Sequence, residues 1–113
     1  MELFAGIPVA DLERAKDFYG RLLGQEPSFL PNDQEAVWTL EEQRHVYVVL
    51  DAERAGGGLV TLFVEDLEAR LAQIAARGIE PATDETYSNG VRKVTYEDED
   101  GNEVGFGGGP SEA

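Results

Sequence analysis

Cysteine is absent from this 113-residue chain. Disulfides and thiolate metal sites are therefore excluded. Histidine and tryptophan occur once each, as His45 and Trp38. Long apolar runs are missing too, and no segment approaches the roughly 20 apolar residues of a membrane span. The start, MELFAGIPVADLERAKDFY, has neither the basic opening nor the long apolar run of a signal peptide. Basic residues are few: 9 Lys and Arg stand against 23 Asp and Glu, a net charge of −14. Such a field repels nucleic-acid phosphates and anionic membranes, so neither is expected as a partner. A cytoplasmic location is expected. The first use of the charge is solubility; the second is attraction of a cationic ligand.

The length predicts one domain with one core, over residues 1–108, followed by a flexible tail at 109–113. Residues 2–9 (ELFAGIPV) read as a strand. Asp11 is a good N-cap, and Leu12, Ala15, Phe18, Tyr19, Leu22 and Leu23 recur at helical spacing up to Gly24. A weak strand at Ser28–Leu30 ends in the turn signal Pro31-Asn32-Asp33. AVWTL (36–40) and HVYVVL (45–50) are rich in β-formers, with Glu41-Glu42-Gln43 as their hairpin loop. DAERAGGG (51–58) reads as a flexible connection between halves.

The pattern then restarts. LVTLFV (59–64) is a strand, Asp66 caps a helix carrying Leu67, Leu71, Ile74 and Ala75, and Gly78 ends it. Ile79–Ala82 reads as a brief strand, Val91–Glu97 as another, and Glu103–Phe106 as the last. Tyr87-Ser88-Asn89-Gly90 reads as a turn, because Asn-Gly is a strong turn former. The carboxylate run Glu97–Asp100 reads as a solvated turn, since its spacing lacks the EF-hand pattern. Val9-Ala10-Asp11-Leu12-Glu13 matches Val64-Glu65-Asp66-Leu67-Glu68, and Gly24-Gln25-Glu26-Pro27 matches Gly78-Ile79-Glu80-Pro81. A βαβββ unit used twice, over about 1–55 and 56–108, explains both matches.

On these residues the chain resembles the vicinal oxygen chelate superfamily, that of glyoxalase I, extradiol dioxygenases, fosfomycin-resistance enzymes and bleomycin-resistance proteins. The likeness runs from Leu3 to about Phe106. It is strongest in VADLERAKDFYGRLLG (9–24), in the second Val64-Glu-Asp-Leu start, and in the Asp98-Glu-Asp-Gly-Asn102 turn, where Glu99 replaces the family's proline. The resemblance implies an α+β fold. Two βαβββ modules form a curved, mixed and mostly antiparallel sheet around a cavity, with helices outside. It also implies a homodimer that completes the cavity.

Metal-dependent members place a divalent ion on the cavity floor. By that resemblance the first ligand precedes the helix cap by seven residues, which is Phe4 in module one and Leu59 in module two. The last is a glutamate three residues after the turn's asparagine, where this chain has Gly105. The remaining position lies in 45–50 and falls on Tyr47 or a valine. No metal and no cofactor are therefore expected.

Strand alternation places Phe4, Gly6, Pro8, Leu59, Thr61, Phe63, Gly105 and Gly107 on the cavity side. Trp38, Tyr47 and Tyr96 are expected on its walls, with His45 near the rim. These predict a binder of a small organic ligand, aromatic or cationic, without metal. Two alternatives stand beside it. One is an isomerase or lyase using His45; the other is a non-catalytic module whose cavity is filled by its own side chains.

Overall fold

The structure, a computed structural model, describes residues 1–109. Its elements in chain order are β1 (Leu3–Val9), α1 (Leu12–Leu23), β2 (Phe29–Asn32), β3 (Glu35–Glu41), β4 (Arg44–Leu50), β5 (Leu59–Phe63), α2 (Leu67–Ala76), β6 (Thr83–Thr86), β7 (Arg92–Glu97) and β8 (Glu103–Gly108). This is the βαβββ unit twice. Each module has its own four-stranded mixed sheet, ordered β1-β4-β3-β2 and β5-β8-β7-β6. The first strand of each module pairs parallel with the last, and the other pairings are antiparallel.

The helices start where the caps predict. Asp11 accepts a hydrogen bond from the Arg14 amide at 3.0 Å, and Asp66 one from the Ala69 amide at 3.1 Å. Gly24 closes α1 in the left-handed region, at φ 78°. The Arg77 guanidinium, from the end of α2, donates to the Arg21 and Leu22 carbonyls of α1's last turn. A cation on free carbonyls at a helix C-terminus is favourable.

Both sheets bury one face against the helices. Ile7, Val9, Trp38, Val46 and Val48 make that face in module one; Val94, Tyr96, Val104 and Phe106 make it in module two. The opposite faces are open.

Several expectations are corrected here. The brief strand placed at Ile79–Ala82 lies instead at Thr83–Thr86. Pro31 and Asn32 belong to β2 rather than to the turn, which an edge strand tolerates because proline's missing N–H faces no partner. The last strand continues past Phe106 to Gly108. The tail expected at 109–113 lies, from 110 onward, outside the described residues.

The carboxylate run is not merely solvated. Asp98 Oδ2 accepts from the Tyr19 hydroxyl at 2.8 Å, and Asp100 Oδ2 accepts from the Ala10 amide at 3.1 Å. Arg14 bridges Glu99 and Asp100. Asn102, fully buried, donates to the Pro8 carbonyl at 2.7 Å and accepts from the Gly56 and Gly58 amides. The 51–58 connection is therefore pinned at its glycine end, not free. A side chain at position 58 would meet Asn102 Oδ1 at 2.8 Å, which fixes glycine there. The DEDGN turn thus ties module two to β1 and α1 of module one.

Candidate functional site

The open faces follow from strand parity and register. In module one Phe4 pairs His45 and Gly6 pairs Tyr47 across β1 and β4, while Val37 and Thr39 on β3 face Tyr47 and His45. In module two Leu59 pairs Glu103 and Thr61 pairs Gly105 across β5 and β8, with Thr95 of β7 opposite Gly105. The two registers correspond, so Tyr47 holds in module one the place that Gly105 holds in module two.

By the resemblance, with this register, the positions that would carry the family's divalent ion would be Phe4, Tyr47, Leu59 and Gly105. These side chains do not fit such an ion. They supply one phenol and no imidazole or carboxylate, the donors that suit it. No group of three or more His, Asp or Glu among the described residues is placed to hold a metal.

His45, expected near the rim, is buried. Its Nε2 lies 2.6 Å from Glu2 Oε2, and its Nδ1 lies 2.8 Å from Thr39 Oγ1. A carboxylate only accepts, so Nε2 donates to Glu2, and in the neutral imidazole Nδ1 accepts from the Thr39 hydroxyl. Phe4 stacks on the imidazole at 4.2 Å between ring centroids, and Phe29 meets it edge-on at 6.5 Å. Phe4 and Phe29 are each 45% exposed, so this aromatic cluster is open to solvent.

A groove of about 400 Å³ runs between β1 and β4 of module one and β5 of module two. His45, Thr61 and Phe63 reach it, together with Arg44, Arg70 and Phe106. A larger depression of about 860 Å³ lies along α1, lined by residues such as Glu13, Asp17 and Arg77 and by none from the open sheet faces. The groove is lined chiefly by helix-side residues of β1, β4, β5 and β8, such as Ala5, Val46, Val60, Leu62 and Phe106, and it is the better candidate because it lies between the modules and reaches the open faces at His45, Thr61 and Phe63.

The remaining expected residues distribute as follows. Tyr47 lies across Gly6, at 2.6 Å from where a side chain there would begin. Leu59 stands 77% exposed on the open face, outside the groove's lining. Gly105 lies beneath the Lys93 side chain.

Trp38 and Tyr96 are corrected. Both belong to the buried faces, with Trp38 paired to Val46 and Tyr96 to Val104, and neither lines the groove. Trp38 Nε1 donates to the Gln25 carbonyl at 2.9 Å, and the Tyr96 and Phe106 rings meet edge-on. Burial, then the Asp84 carboxylate, push the Tyr96 phenol up. The alternation in the sequence already separated them: Trp38 shares parity with Ala36, and Tyr96 with Val94. Read the same way, it would have found Thr39 and Lys93 on the open faces. Glu2 and Phe29 carried no such signal, since one precedes its strand and the other sits in a weak one.

The fold and its open-faced double module define a class of protein. The family model for the Glyoxalase/Bleomycin resistance protein/Dioxygenase superfamily matches residues 3–106, and the chain belongs to that family. It is similar to a glyoxalase / bleomycin resistance protein from Catenulispora acidiphila DSM 44928, at 53% identity over 97% of this chain and 99% of that one, with a TM-score of 0.94. The fold is shared with TnmS3, an antibiotic binding protein from Streptomyces sp. CB03234, at 24% identity over 98% and 96% of the chains and a TM-score of 0.77. It is shared equally with a lactoylglutathione lyase from Agrobacterium tumefaciens, at 19% identity, 96% and 93% coverage and a TM-score of 0.77. No curated protein sequence matches the chain.

Proposed function

We propose that this protein binds a small aromatic ligand in the groove between its modules, without a metal, as a homodimer. The observation that carries this reading is the exposed aromatic cluster at His45, a residue that also lines the groove: Phe4 stacks on its ring and Phe29 meets it edge-on. Flat rings exposed at the edge of a groove stack on a flat ligand. The positions that would hold the family's ion carry Phe4, Tyr47, Leu59 and Gly105, which favours binding over metal-assisted chemistry. A second copy would cover Leu59, a large apolar side chain left exposed outside the groove.

Thermal unfolding against two panels tests this. One panel holds Ni, Zn, Mn, Fe and Co ions; the other holds flat aromatic acids, amides and amines with bleomycin-type cations. A ligand of the folded state raises the midpoint by mass action. The expected result is a shift with aromatic compounds and none with metals. A metal shift reversed by chelator would return the protein to metal chemistry, and silence with every aromatic would sink the binding reading.

One observation favours a second reading, a metal-free isomerase or lyase: the Glu2–His45–Thr39 chain has the order of a proton relay. Both imidazole nitrogens are engaged, so His45 would act only once a substrate displaces one partner. Turnover that is lost in His45→Gln would establish this reading.

A further inference from the structure

Four side chains lining the groove can carry charge: Glu41, Arg44, His45 and Arg70. Three of them are committed. Glu41 pairs with Arg44 at 2.5 Å, and His45 is held by Glu2 at 2.6 Å. Arg70 pairs with no carboxylate among the described residues, in a chain that has 23 acidic side chains.

The place of Arg70 in its helix makes this telling. Leu67 and Ile74 are the buried residues of α2, and Arg70 stands three residues after one and four before the other. It is therefore on the stripe that faces the sheet, and it is partly buried there. The matching caps Asp11 and Asp66 align Arg70 with Ala15 of module one, a buried alanine. In module one, packing at this place takes only a methyl group. Module two puts a guanidinium there, in the first turn of α2, where the helix dipole disfavours a cation and favours an anion.

The Arg70 Cζ lies over the Phe106 ring, 5.8 Å from its centroid. That contact offsets part of the cost of drawing a charge out of water. A ring below a guanidinium leaves its N–H edge to other acceptors, and a carboxylate takes two of those donors at once. The walls nearby are apolar: Val60, Leu62 and Phe106 of module two, with Ala5 and Val46 of module one. The net charge of −14 opposes an anion at long range. Salt screens that field over roughly 8 Å at physiological strength, whereas Arg70 would act at contact.

We infer that Arg70 is the carboxylate-binding residue of the groove, and that the aromatic ligand is a monocarboxylate with an apolar body. The body lies along the aliphatic walls, and the carboxylate takes paired, charge-assisted hydrogen bonds from the guanidinium. This inference rests on the groove being a ligand site.

Calorimetric titration with 4-phenylbutyrate, 4-phenylbutanamide and 4-phenylbutylammonium tests it. The three share a ring and an arm and differ in charge at the end. The acid should bind about tenfold tighter than the amide, the ratio one charge-assisted hydrogen bond supplies. Arg70→Ala, which installs module one's residue, should bring acid and amide to equal affinity. Arg70→Lys, which keeps the charge without the fork, should retain a smaller preference for the acid. Should Arg70→Ala not fold, Arg70→Met, which keeps an apolar stem over Phe106, takes its place. Equal binding of acid and amide by the wild type, a preference for the amine, or an acid preference that survives the loss of the guanidinium would overturn the role of Arg70 and leave the groove as a binding site. If none of the three probes binds, the groove reading itself fails, and the role of Arg70 with it.

Discussion

Asn102 engages both ends of its amide with distant backbone: the Pro8 carbonyl on one side, the Gly56 and Gly58 amides on the other. It is fully buried, so each partner left behind by truncation loses a hydrogen bond without gaining water. Asn102→Ala should cost about 3 kcal/mol, lowering the melting midpoint by on the order of 10 °C. Chemical denaturation checks the first figure and calorimetry the second. Tyr19 is the other residue of this clamp. Burial, then the Asp98 carboxylate, push its phenol well above the ordinary value of 10.0. The folded value exceeds the unfolded one, so the stability it contributes is complete below about pH 10 and is lost as pH rises beyond it. Tyr19→Phe should therefore flatten the fall in stability above pH 10, and at neutral pH cost about 1.5 kcal/mol for the lost bond to Asp98. Phenolate absorbance should show Tyr19 ionising only on unfolding; a phenol that titrates in the folded protein near pH 10 would contradict this.

At the scale of elements, the two helices were legible because cap and period agree. Asp11 and Asp66 each precede an apolar stripe, and both accept the expected amide. Asp11→Ala and Asp66→Ala should each cost about 1 kcal/mol in denaturant titrations. β6 was not legible, since Thr83-Asp84-Glu85-Thr86 has no apolar alternation to read. It is a strand because β7 pairs with it and because Arg92 bonds Asp84 from across the ladder, holding that carboxyl below its usual range. Such a strand exists through its partner, and sequence periodicity does not record partners. Trp38 and Tyr96 are a different case, since their alternation with Ala36 and Val94 already assigns them to the buried faces. An aromatic in a strand belongs to whichever face its register assigns, and an aromatic wall is only one of the two.

At the scale of the whole molecule, each module leaves a sheet face open, carrying Leu59 at 77% and Phe63 at 66% exposure. If a second copy covers these faces, sedimentation should give a species of twice the chain mass. Leu59→Glu, outside the groove, should shift it to the monomer without loss of helical signal. A wild-type monomer at working concentration would remove the dimer from the proposed function. Among the described residues no helix is long and apolar enough to cross a membrane.

The sequence by itself determined the doubled βαβββ order, the two helix starts and the closing DEDGN turn. These are local quantities, carried by spacing, caps and residue identity. Only the tertiary structure decided that Tyr47 stands in module one where Gly105 stands in module two. It alone showed that the acidic turn clamps one module to the other, that His45 is buried between Glu2 and Thr39, and that Arg70 lines the groove between the modules. Each of these depends on strand register and on contacts between segments far apart in the chain. Local patterning leaves such pairings open, and packing of the two cores selects among them.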